Sequence, residues 1–142
     1  MEPRISIITL GVEDLDRSIA FYRDGLGFPT TYKPDGGIAF FQTGGVCLAL
    51  YPLSELANDV SESFAAERSA FSGITLAHNV RTKEEVDEVL TLAANSGAKI
   101  EKPAQDTFWG GYSGYFSDSD AYLWEVAWGA FEFNDNGSLV IT

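Results

Sequence analysis

Glu125 is the side chain with the clearest chemical use. It lies in the run Leu123-Trp124-Glu125-Val126-Ala127, where strand alternation places it on one face with Leu123 and Ala127. A carboxylate in an apolar cup holds its proton more tightly than usual and can act as a general base or pair with a cationic ligand. The plainer alternative is a buried glutamate satisfied by a nearby hydroxyl or amide. The stretch Phe108-Trp109-Gly110-Gly111-Tyr112-Ser113-Gly114-Tyr115 gathers aromatic rings and glycines. Taken functionally, it is a flexible entrance loop that brings Trp109 and Tyr115 to stack on a ligand. Taken structurally, it is a strand whose glycines allow close packing. His78 is the one histidine, and alternation sets it on the opposite face from Thr75, Ala77 and Asn79, so a core imidazole under the helices is expected unless a bulge reverses the face. Cys47 sits in an apolar run with no base or cation beside it, which points to an inert thiol. As the single cysteine it permits neither an intramolecular disulfide nor a multi-thiolate metal site. The sequence holds no Gly-x-Ser-x-Gly elbow, phosphate loop or dinucleotide fingerprint.

These residues are carried by a pattern that runs twice. Arg4 to Val12 is β-branched and apolar, as in a buried strand. Glu13-Asp14-Leu15-Asp16 opens a helix with Leu15, Ile19 and Phe21-Tyr22 at helical spacing, and Gly25 and Gly27 supply its stop. Short strands are expected at Thr30–Lys33, Ile38–Thr43 and Val46–Tyr51, separated by Pro34-Asp35-Gly36-Gly37 and Gly44-Gly45. Pro52 to Ser72 lacks periodicity and is expected to be a connector, with room for a short helix around Glu62–Ser69. Gly73 to Val80 then begins the second copy. Thr82 and Glu85 have the spacing of a capping box, Val86, Val89, Leu90 and Ala93 line one helical face, and Gly97 ends it. Strands are expected near Ala98–Glu101, Gly111–Ser117 and Tyr122–Trp128, with an Asp118-Ser119-Asp120 turn. Tyr122, Trp124 and Trp128 alternate along one strand face, as core or dimer-interface packing requires. A hairpin of Phe131–Phe133 and Leu139–Ile141 around Asn136-Gly137 closes the chain. The fold class is therefore α+β: two βαβββ modules, about 4–52 and 73–128 with a tail 129–142, forming one domain with a cupped, mostly antiparallel sheet and helices outside.

The balance of 9 basic and 21 acidic residues gives a net charge of −12 over 142 residues. Phosphate backbones would be repelled, so nucleic acid is not an expected partner. Hydrophobic residues at 45 % and aromatics at 13 % suffice for a packed core. Met1-Glu2-Pro3-Arg4 is no secretory leader, and no apolar run approaches the ~20 residues of a bilayer span. A cytoplasmic protein with no membrane partner is expected.

The segment Ile5-Ser6-Ile7-Ile8-Thr9-Leu10-Gly11-Val12-Glu13-Asp14-Leu15-Asp16-Arg17-Ser18-Ile19-Ala20-Phe21-Tyr22, with Leu26-Gly27-Phe28 after it, resembles the opening of the vicinal oxygen chelate superfamily. That group includes glyoxalase, bleomycin-resistance proteins and extradiol dioxygenases. Gly114-Tyr115-Phe116-Ser117-Asp118-Ser119-Asp120-Ala121-Tyr122-Leu123-Trp124-Glu125-Val126 resembles its closing hairpin, which typically carries an Asp-Pro-Asp-Gly turn and a strand ending in Glu. The similarity spans about residues 4 to 128 and implies the fold and a pocket. Family enzymes hold a divalent metal with two side chains per module, usually His or Gln on a first strand and Glu on a last one. By resemblance these positions fall on Ile7, Ala49, Thr75 and Glu125, and only Glu125 is a proper ligand.

No metal cofactor is therefore expected; a divalent ion enters only if this mapping is wrong. The function that follows is metal-independent binding of a small molecule, as in the drug-sequestering branch. Its pocket would be lined by Thr9, Phe41, Thr75, Asn79, Trp109, Tyr115 and Glu125, with Glu125 as the catalytic candidate. A cationic or aromatic small-molecule ligand is expected, the acidic charge suiting a cationic or amine-bearing one, and the resemblance implies a homodimer. The alternative is a glyoxalase-like lyase or isomerase, or a dioxygenase-related enzyme, acting on a small oxygenated substrate with Glu125 as base.

Overall fold

The computed structural model describes residues 1–63 and 67–140, which fall into two compact units, Met1–Ser69 and Ala70–Thr142. In the N-terminal unit, β1 (Ile7–Val12) leads into α1 (Leu15–Ile19), which runs on as a π-helical segment over Ala20–Gly25. Asp14 caps α1 by accepting from the Arg17 amide at 3.0 Å, which satisfies one orphan donor of the first turn. The strands β2 (Ala39–Gln42) and β3 (Cys47–Pro52) follow, and α2 (Leu53–Val60) comes directly after them. The sheet order is β1-β3-β2, with β1 parallel and β2 antiparallel to β3.

Several expectations are corrected in this unit. The first strand starts at Ile7 rather than Arg4, because its partner β3 begins opposite it at Cys47. The strand expected at Thr30–Lys33 shrinks to a single bridge between Thr30 and Phe41. Pro29 and Pro34, which lack N–H donors, bracket that segment and cut its ladder short. Within the expected connector, α2 is a helix: Leu53, Leu56 and Ala57 share a face at i, i+3 and i+4. Leu53 and Leu56 approach the space above Gly11 so closely that a Cβ there would meet Leu53 Cδ1 at 2.6 Å. The helix expected around Glu62–Ser69 centres on residues 64–66, which lie outside the described ones.

The C-terminal unit is a complete βαβββ module. It comprises β4 (Thr75–Asn79), α3 (Lys83–Asn95), β5 (Lys99–Asp106), β6 (Tyr112–Ser117) and β7 (Leu123–Trp128). The sheet order is β4-β7-β6-β5, parallel between β4 and β7 and antiparallel elsewhere. The capping box at Thr82 and Glu85 forms as the spacing predicts. Val86, Leu90 and Ala93 bury one face of α3 against the sheet, each large side chain contributing roughly 2 kcal/mol by transfer from water. On the same side Phe116 and Trp124 stack at 6.1 Å with their planes 3° apart. Strand β5 runs well past the expected Glu101, and Pro103 sits where its register shifts against β6. As an edge strand it tolerates that missing donor. The short hairpin β8 (Glu132–Phe133) and β9 (Leu139–Val140) turns at Gly137, whose φ is 84°; Ile141, expected within it, is outside the described residues.

Thus the α+β architecture, mostly antiparallel and built from repeated strand–helix–strand modules, is present, with one strand of the first module reduced to a bridge. In the β6–β7 turn, Ala121 adopts φ 63°, a left-handed conformation that glycine takes without a Cβ penalty. Ala121→Gly is expected to raise stability by about 0.5–1 kcal/mol, read as a higher urea midpoint at unchanged m-value.

Candidate functional site

Register sorts the C-terminal sheet into two faces. One carries α3. The opposite one, here the far face, presents three rows of side chains across β4, β7 and β6. They are Thr75–Leu123–Ser117, Ala77–Glu125–Tyr115 and Asn79–Ala127–Ser113. Four predicted site residues, Thr75, Asn79, Tyr115 and Glu125, therefore share this face, as alternation requires.

Tyr115 and Glu125 are direct cross-strand partners. Burial pushes the Tyr115 phenol above the ordinary tyrosine range, and the facing Glu125, through its charge and as hydrogen-bond acceptor, pushes it further. Tyr115 therefore keeps its proton at neutral pH beside a facing carboxylate. One row away, the Ser117 hydroxyl donates to Glu101 Oε1 at 2.7 Å, and Lys99 Nζ lies 3.1 Å from Glu101 Oε2. The Ser117 bond first and then Lys99 hold the Glu101 carboxyl below its usual range.

Trp109 lies in a closed turn rather than an open loop. The Thr107 amide donates to the Gly111 carbonyl at 2.9 Å, and the Gly111 amide returns to Thr107 Oγ1 at 2.9 Å. The indole folds back over Gly111 and Gly129, coming so near that a Cβ on Gly111 would fall 1.8 Å from its Cζ3. It also meets Phe131 at 6.1 Å between centroids. The glycines are thus there to seat the ring, while Phe108 beside it is fully exposed. From the Gly111 row to the Tyr115 row is four residues of strand, about 13 Å. The floor between them is Ser113 and Ala127, each 2 % exposed. Ser113, Ser117 and Glu101 were not among the predicted site residues; alternation counted from Tyr115 signals both serines.

Other predicted residues stand elsewhere. Thr9 is half-buried in the N-terminal unit, opposite Ala49 on the sheet face away from α1. Phe41 is fully buried on the α1 side, 6.0 Å from Tyr22 and 6.5 Å from Phe28 between ring centroids. It is a core residue, and Phe40, half-exposed, takes the other face. Cys47 is likewise only half-buried, its Sγ donating to the Leu48 carbonyl at 3.6 Å. His78 stands on the α3 side, as alternation predicts, but it is exposed rather than the expected core imidazole, because β4 is the edge strand of its sheet. The atoms packed around the ring still desolvate it enough to lower its pKa, opposed by the charge of Glu85.

The four positions that would hold a family metal keep matching places in the two units. Ile7 and Ala49 are diagonal neighbours on β1 and β3, as are Thr75 and Glu125 on β4 and β7. Their chemistry does not fit a divalent ion: Ile7 and Ala49 have no donor atoms, and Thr75 offers a neutral hydroxyl. Among the described residues no group of three or more His, Cys, Asp and Glu side chains stands together as a metal site, and no helix is long and apolar enough to cross a membrane.

Known proteins place this arrangement. The chain resembles a glyoxalase-related enzyme from Fulvimarina pelagi, with 30 % identity over 98 % of both chains and a TM-score of 0.87. It also resembles a glyoxalase/bleomycin resistance protein/dioxygenase from Nocardioides, with 25 % identity, 90 % of this chain and 84 % of that one covered, and a TM-score of 0.74. A lactoylglutathione lyase from Agrobacterium tumefaciens matches at 27 % identity over 91 % of this chain and 96 % of that one, with a TM-score of 0.69. Among curated proteins none matches. The profile of one family matches residues 4–126, and the chain belongs to that family, the glyoxalase/bleomycin resistance protein/dioxygenase superfamily.

Proposed function

We propose that this protein binds a small, amine-bearing aromatic molecule on the far face of its C-terminal sheet, without a metal ion. The observation that carries this reading is the Glu125–Tyr115 pair. It occupies the one family ligand position with a charged donor, and it replaces a metal with a phenol as the partner of the carboxylate. An ammonium group satisfies Glu125 as the absent cation would, and a π-system finds Tyr115 and, along the same face, the Trp109 indole. The net charge of −12 favours approach of a cation.

Calorimetric titration with tryptamine as probe tests this. Saturable binding is expected, weakened about tenfold or more by Glu125→Gln, the loss of one charge-assisted contact. Equal affinity in wild type and variant would contradict the assignment. A second reading, an enzyme using Glu125 as general base on a small oxygenated substrate, draws on the name of the Agrobacterium neighbour. Formation of lactoylglutathione by purified protein, abolished in Glu125→Gln, would favour it instead.

A further inference from the structure

A second hollow lies on the α3 side of the same unit, where β4 hands over to the helix. His78, Asn79, Arg81, Glu88, Val89 and Phe133 line about 390 Å3 there. Phe133 comes from the β8–β9 hairpin, beyond the residues 4–126 matched by the superfamily.

The charges on these walls are arranged for a ligand. The Arg81 guanidinium sits 4.5 Å from the centroid of the Phe133 ring. Among the described residues no carboxylate lies within ion-pairing distance of it. In a chain with 21 acidic residues against 9 basic ones, that is an unusual state for an arginine. Seated over the ring, it keeps N–H donors for a planar, bidentate acceptor. The neighbouring acid does not take that role: Glu85 Oε2 accepts from the Arg81 amide at 2.7 Å and the Thr82 amide at 3.1 Å. Those bonds tie Glu85 to the two amides just before α3. Glu88, a turn further on, has no described partner and sets a negative charge on the same hollow. Val89 and the Phe133 ring supply apolar surface between them.

We propose that this hollow binds a free α-amino acid with an apolar side chain. The carboxylate meets Arg81, the ammonium meets Glu88, and the side chain lies against Val89 and Phe133. A bare carboxylate would leave Glu88 unmatched and would work against the field of a chain carrying −12; a net-neutral zwitterion escapes that repulsion. A bare amine would leave Arg81 unmatched. Apart from Asn79, at the end of β4, the residues named for this site do not belong to the far-face rows of Glu125 and Tyr115, and the proposal stands or falls independently of them.

His78 makes the test direct, because it is the single histidine and lines the hollow. Its ring resonances in the full-length protein at pH 7, titrated with L-phenylalanine, are expected to shift saturably with a Kd of roughly 1 mM or tighter. Arg81→Gln and Glu88→Gln, both at exposed positions, are each expected to weaken binding about tenfold. Phenylacetate and phenethylamine, which lack one of the two charges, should shift the His78 resonances with about tenfold weaker affinity in the wild type. The proposal is overturned if His78 shows no saturable shift with phenylalanine, if either variant binds phenylalanine as the wild type does, or if phenylacetate or phenethylamine shifts His78 with the affinity of phenylalanine.

Discussion

Gly114→Ala is expected to destabilise the C-terminal unit by about 3 kcal/mol. Gly114 lies on β6 opposite Val126, on the α3 side of the sheet. A Cβ there would stand 2.6 Å from Leu90 Cδ1, and 2.9 Å from both the Ala104 amide nitrogen and the Lys102 carbonyl oxygen. The leucine methyl can rotate away. The two backbone atoms cannot, because they belong to the stretch of β5 around Pro103 where the register against β6 shifts. Urea denaturation of Gly114→Ala measures the total cost. Adding Gly114→Ala to Leu90→Ala separates the two causes: with the methyl gone, about 2 kcal/mol should remain. A remaining cost near zero would show that β5 gives way freely and that its close approach is not a constraint.

Asp118→Ala should cost about as much, roughly 3 kcal/mol, through unmet hydrogen bonds rather than overlap. Asp118 is 6 % exposed. Its Oδ1 accepts from the Asp120 and Tyr122 amides, both at 2.9 Å, while its own amide donates to the Tyr122 carbonyl at 3.0 Å. The carboxylate thus organises the whole β6–β7 turn in the manner of an Asx turn. That turn sets the register in which Tyr115 faces Glu125, and a one-residue slip would move one strand's side chains to the other face. Asp118→Asn keeps an acceptor oxygen and should lose less than half as much. If Asn and Ala variants unfold at the same urea concentration, the acceptor role is refuted.

Periodicity made much of this legible. The Thr82–Glu85 spacing located the cap of α3, and alternation separated His78 from Thr75 and Asn79 and set Glu125 on one face with Leu123 and Ala127. These features depend on neighbours along one chain segment. What the sequence concealed depends on partners distant in the chain. Phe41 and Phe40 are adjacent and equally apolar, and only packing against Tyr22 and Phe28 decides which is core. Trp109 beside two glycines suggests a loose loop; the glycines instead make room for the indole. The helix α2 was masked by Pro52, which serves as its N-cap. Arg81 gave no signal at all, because its partner, Phe133, is 52 residues further on.

Metal independence is the central claim, and titration calorimetry with Zn²⁺, Ni²⁺, Mn²⁺ and Fe²⁺ on untagged, chelator-treated protein tests it most directly. With Ile7, Ala49 and Thr75 at the other three family positions, no ion should bind stoichiometrically, and Glu125→Gln should leave the traces unchanged. One equivalent of tightly held metal, lost in Glu125→Gln, would contradict the assignment of these four positions and restore metal-dependent chemistry to the far face.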